Sequence, residues 1–84
     1  MTKEKLIEIF NGDVIPLSVI HEGLKLNNEK YAEKFKTTEQ FSEFYFKLPE
    51  VPQQMLIKLA VSNLNKRYQI NELLDKDLQT IKFI

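Results

Sequence analysis

The residue types that could carry chemistry are few in this chain, and their spacing decides what they can do. His21 is the only histidine, so neither a two-histidine metal site nor a histidine pair for proton relay can be built within one copy. It lies on an apolar stripe with Leu17, Ile20 and Leu24, and its neighbour Glu22 points elsewhere on a helix, so a His-Glu dyad is not suggested. His21 therefore reads as a structural histidine. Glu72, Asp75 and Asp77 form an acidic cluster, and carboxylates can serve as acid, base or hard-metal ligand. These alternate with Lys76 and lack the loop spacing and glycine of a calcium site, which reads as a solvated helix face. Neither glycine sits in a phosphate-binding loop, and no serine sits in a nucleophile elbow. The absence of cysteine excludes thiol catalysis, thiolate metal sites and disulfides, and is compatible with a reducing compartment. No catalytic, cofactor-binding or metal-ligating residue is nominated, and the expectation is a protein that is not an enzyme and needs no cofactor.

Binding residues are better represented. Lys66, Arg67 and Tyr68 place two cations beside a ring, a combination that can contact phosphate and stack on a base or sugar. The bland alternative is a basic cap at a helix C-terminus, favourable against the helix dipole. Residues 17–34, "LSVIHEGLKLNNEKYAEK", set two short helical patterns around Gly23, as a helix-turn-helix does. Glu22 stands where that motif prefers an apolar residue, and Glu29 and Glu33 accompany the lysines of the second pattern. Asn63 falls on an apolar helix side, where an unsatisfied amide would cost about 1 to 3 kcal/mol. It is an internal hydrogen-bond anchor or a polar element of an interface.

Acidic and basic residues balance at twelve each, so no global field draws the chain toward nucleic acid, an anionic membrane or a basic partner. With 84 residues it reads as one domain, whose thin core buries roughly 60 to 65% of the unfolded surface. The opening "MTKEKLIEIF" carries Glu4 and Glu8 among its apolar positions, which does not suit a signal peptide, and no apolar run approaches the ~20 residues that span a bilayer. A soluble, cytoplasmic protein without membrane contact is expected. Eleven of the twelve basic residues are lysine, a bias that AT-rich codons produce in bacterial and phage genomes.

The elements that must position these residues follow from periodicity. Leu6, Ile7, Ile9 and Phe10 make residues 3–10 an amphipathic helix, ended by the turn-forming Asn11-Gly12-Asp13. Pro16 suits the first turn of a second helix, which Gly23 should end or weaken. Asn27 and Asn28 can cap a third helix carrying Tyr31, Ala32 and Phe35 on one face. Thr37 with Gln40 matches a capping box, so a fourth helix starts there and stops near Lys47, because Leu48 precedes Pro49. Its stripe is Phe41, Phe44, Tyr45 and Leu48. Phe46 stands about 140° from Phe41, beside Glu39 and Glu43, and is a ring without a core to enter.

Residues 52–65 read as the strongest helix. Met55, Leu56, Ile57, Leu59, Ala60, Val61 and Leu64 cover most of the wheel, with Leu56 and Leu59 at the centre of the apolar arc, as in a central helix with neighbours on several sides. A polar break at residues 65–68 puts Lys66, Arg67 and Tyr68 in a loop, and a last helix is expected from about Asn71, with residues 80–84 also able to form a short strand. The sequence thus predicts an all-α domain of four to five short helices around a central helix at about 52–65. Its expected task is non-enzymatic binding of another protein through Phe46, Lys66, Arg67 and Tyr68, in the manner of phage or mobile-element products that bind and inhibit or modulate a host protein. A small nucleic-acid-binding regulator, using residues 17–34 or the basic 66–68 segment, is the alternative. Homo-oligomerisation would also consume exposed rings.

Overall fold

The computed structural model describes residues 1–71, 73, 82 and 83. Among them five α-helices follow one another, α1 (Lys3–Asn11), α2 (Leu17–Lys25), α3 (Glu29–Lys34), α4 (Thr38–Lys47) and α5 (Glu50–Tyr68), with two short strands, β1 (Val14–Ile15) and β2 (Lys82–Phe83). The chain is predominantly helical, as its periodicity predicts. Its C-terminal strand is present too: β1 and β2 pair in parallel, with Val14 opposite Lys82 and Ile15 opposite Phe83. A parallel pair needs a long crossover between its strands, and α2 to α5 form most of it. The helix expected from about Asn71, with Glu72, Asp75 and Asp77, falls largely on residues 72 and 74–81, outside the described residues.

Local chemistry accounts for the helix ends. Thr2 Oγ1 accepts from Lys5 N–H at 3.2 Å and starts α1. Gly12 N–H donates to the Ile9 carbonyl and ends it, with Gly12 in extended conformation at φ −81°, so the turn does not use a positive φ. Asn28 caps α3 by accepting from Lys30 N–H. The capping box of α4 is complete: Thr37 Oγ1 accepts from Gln40 N–H at 3.2 Å while Gln40 Oε1 accepts from Thr37 N–H at 3.4 Å. Leu48 is extended before Pro49, which itself caps α5. The C-cap of α5 is Gln69 at φ 56°, a left-handed position usually filled by glycine.

The principal packed pair is α2 against α5. In α2, Leu17, Val19, Ile20, His21, Gly23 and Leu24 are buried, and α5 answers with Ile57, Ala60, Val61, Asn63, Leu64 and Asn65. Gly23 does not end α2, which continues to Lys25. A Cβ built there would lie 2.7 Å from the Ala60 carbonyl oxygen and 3.0 Å from Ala60 Cβ, so glycine lets the two helix backbones approach. Asn63 then reaches across: its Nδ2 donates to the Gly23 carbonyl at 3.0 Å, and its Oδ1 accepts from Asn27 at 3.3 Å. Asn63 is an internal anchor of the helix pair. Leu6 and Phe10 of α1, Ile15 of β1, Phe41 and Tyr45 of α4, Phe35, Ile70 and Leu73 complete the core.

Two placements differ from the expected ones. α5 runs to Tyr68, so Lys66, Arg67 and Tyr68 form its last turn and no basic loop exists at 66–68. The helix also buries one arc only: Leu59 is exposed and Leu56 half-buried, and the core anchors are Ile57, Ala60, Val61 and Leu64. On α3 and its C-cap, Tyr31 is half-buried and Phe35 buried while Ala32 is exposed, because Tyr31 and Phe35 stand about 40° apart around the helix and Ala32 about 100° from Tyr31.

Candidate functional site

His21 is buried in the centre of the fold. Its ring stacks on Phe41 with centroids 5.1 Å apart and planes 4° from parallel, and Nε2 donates to the Phe35 carbonyl at 2.8 Å. A carbonyl can only accept, so Nε2 carries the proton in this contact. Burial lowers the pKa of His21 below its ordinary 6.5 and outweighs the carbonyl contact; Lys25 lowers it further and Glu22 opposes. The ring links α2 to the end of α3. Among the described residues no cluster of three metal-ligating side chains occurs, and no helix is long and apolar enough to cross a membrane.

The outer side of α5 carries the fold's most conspicuous apolar exposure. Val51, Met55 and Leu59 retain 70%, 66% and 45% of their accessible surface. Steps of four residues keep them in one row, each about 6 Å further along the axis, and Met55 lies about 160° around the helix from the buried Ile57. Lys58 and Lys66, both exposed, fall beside that row. Phe46 at the end of α4 is 59% exposed, touching Tyr45 edge-on at 5.3 Å. Gln53 Nε2 donates to the Tyr45 carbonyl at 2.9 Å and joins the last turn of α4 to the first turns of α5 in one corner.

Lys66 and Arg67 are exposed, whereas Tyr68 is half-buried against the core. They stand at the far end of α5 from Phe46. Glu50 and Lys66 are sixteen residues apart on that helix, about 24 Å along its axis, so the four nominated binding residues do not form one patch. What lies between them is the row of Val51, Met55 and Leu59, which sequence reasoning assigned to the core or passed over.

A second surface feature lies between α3 and α4. Asn28, Lys30, Tyr31, Lys34, Phe35 and Phe44 enclose an open cavity of about 230 Å³. Tyr31 and Phe35 are 5.7 Å apart, Phe35 and Phe44 4.8 Å, and the Lys34 ammonium stands 5.4 Å from the Phe35 ring centroid and 5.5 Å from that of Phe44. Burial raises the Tyr31 pKa, so its phenol remains a neutral O–H. Glu39 and Glu43 turn to a different hollow, with Leu17, Thr38 and Ser42. For the helix-turn-helix reading, Gly23 is packed inside α2 rather than at a turn, and the second helix is only six residues long.

No protein-family model, curated protein or solved structure matches this chain.

Proposed function

We propose that the chain is a small, non-enzymatic protein-binding module that engages another protein along the outer row of α5. One observation carries this: Val51, Met55 and Leu59 form a continuous apolar row on the side of the longest helix that faces away from the core. Apolar side chains in such a row contribute little to the monomer, whereas an apolar strip with a charged margin suits a partner surface. Lys58 and Lys66 supply that margin. A chain of this size and composition suits binding and inhibiting, or modulating, a host component.

The test is a photo-crosslinking side chain at position 51, introduced into the chain in the cells that produce it. A discrete adduct with one other protein is expected, and it should disappear when Met55→Glu and Leu59→Glu are added. Both positions are exposed, so circular dichroism of the double variant should match the parent. Absence of an adduct, or an adduct with a second copy of the chain only, would overturn the proposal.

A further inference from the structure

We infer that the cavity between α3 and α4 is a second recognition site, which takes an acidic peptide segment with a single apolar anchor side chain. The inference rests on the protein-binding reading but uses a surface separate from the α5 row. Its walls are aromatic and its polar rim is cationic or donating. Tyr31, Phe35 and Phe44 line the hollow together with Lys30 and Lys34, and the Lys34 ammonium stands over Phe35 and Phe44. Asn28 Oδ1 accepts from the Lys30 backbone N–H, and its Nδ2 amide is a donor at that corner. Among the described residues no carboxylate lines the cavity, and the one ion pair, Lys25 with Glu22, lies elsewhere.

The six-residue helix sorts its charges to give this result. Lys30 and Lys34 are four apart and share a side adjoining Tyr31 and Phe35. Glu29 and Glu33 are likewise four apart; Glu29 stands about 100° and Glu33 about 60° around the helix from Lys30, on the side away from Tyr31, and neither lines the cavity. In sequence the two signs look interleaved. On the helix only the lysines reach the cavity lining, and a locally cationic, aromatic-lined hollow appears on a chain of zero net charge.

Size and ring packing select the occupant. About 230 Å³ is below the roughly 300 to 1,000 Å³ of pockets that enclose a drug-sized ligand or cofactor, and suits one large apolar side chain. A nucleic-acid strand would need open ring faces to stack on. Here Phe35 packs against Tyr31, Phe41 and Phe44, and the Lys34 ammonium covers Phe35 and Phe44. A leucine or phenylalanine anchor needs only the apolar wall, and carboxylates on either side of it meet Lys30, Lys34 and the Asn28 amide.

The probe is the pentapeptide acetyl-Glu-Asp-Phe-Asp-Glu-amide, titrated into nitrogen-15-labelled full chain and followed by amide chemical shifts. Saturable shifts are expected at residues 28–35 and 44. Affinity should fall at least about fivefold with the Gln-Asn-Phe-Asn-Gln analogue, with Lys30→Gln plus Lys34→Gln, and on raising the salt, because the contacts are charge-assisted. Met55→Glu plus Leu59→Glu should leave the titration unchanged, which separates this site from the α5 row. The inference is overturned if the acidic peptide gives no saturable shifts at these residues, or if the neutral analogue binds equally well. It is also overturned if an oligothymidine moves these amides and the peptide does not, or if the α5 variant abolishes the peptide shifts while the fold persists.

Discussion

Gly23→Ala sets helix propensity against packing within one residue. In an exposed helix the change would stabilise by about 1 kcal/mol. At Gly23 the added methyl would stand 2.7 Å from the Ala60 carbonyl oxygen, and ordinary contact begins at 3.4 Å, so the backbones of α2 and α5 would have to part by about 0.7 Å. The obstruction is main chain, which cannot swing aside as the end of a side chain can. Separation along that line would stretch the 3.0 Å bond from Asn63 Nδ2 to the Gly23 carbonyl beyond useful length. It would also loosen the packing of the two helices, whose buried side chains include Ile20 and Leu24 on α2 and Val61 and Leu64 on α5. Overpacking of this kind costs about 1 to 3 kcal/mol, and a buried amide left without its partner about 1 more. Less the propensity gain, the net loss should be about 1 to 3 kcal/mol. For a domain of this size that lowers Tm by about 4 °C for the smallest loss and by more than 10 °C for the largest, read by circular dichroism. A Tm equal to or above that of the parent would refute the close approach of α2 and α5 as the reason for glycine.

Ile57→Ala should cost about 2 to 5 kcal/mol in urea melts, because that side chain is fully buried, whereas Leu59→Ala should cost under about 1 kcal/mol; equal losses would reverse the orientation given to α5. His21, held neutral by burial, makes stability pH-dependent: near neutral pH both states carry a neutral ring, but as pH falls through 6.5 the unfolded chain takes up the proton first and stability declines. His21→Gln should remove that part of the acid destabilisation, and melts of the two proteins at pH 7.5 and 5.5 that shift in parallel would contradict it. Gln69→Gly should raise stability by about 0.5 kcal/mol or more, since glycine occupies φ 56° without the crowding a side chain meets there, and an unchanged or lowered Tm would count against a strained cap.

Local signals in this sequence were reliable where one residue's chemistry decides the outcome. Thr37 with Gln40 fixed the start of α4, Pro49 fixed its end, and the wheel position of Phe46 placed that ring in solvent. Signals that depend on a distant neighbour were not. Gly23 looks like a helix terminator because its role is defined by Ala60, thirty-seven residues later. Asn27 looks like a cap, yet its amide serves Asn63. The cavity between α3 and α4 needed Phe44 to arrive from another helix, and no spacing within residues 28–35 announces that.

The sequence pattern of α5 does not distinguish a central helix from one with an outer face. A helix apolar around most of its circumference has the same pattern whether its second side is covered by the fold or left for something outside it, because both arrangements bury the same residue types. Length and composition weigh slightly for the former, since a small domain has little apolar surface to spare. The contrary indication was already present in the rows themselves. Ile57, Ala60, Val61 and Leu64 mix β-branched, small and branched aliphatic side chains and meet α2 across a glycine, a contact that packs tightly and uses one arc. Val51, Met55 and Leu59 belong to the opposite arc, with the exposed Lys58 beside them, and covering that side within the fold would have to leave the ammonium a way out to water. Lysine at position 58 therefore argues that this side of the helix stays at a surface. An apolar row constrained to a surface is the physical ground for the proposal that a partner covers it.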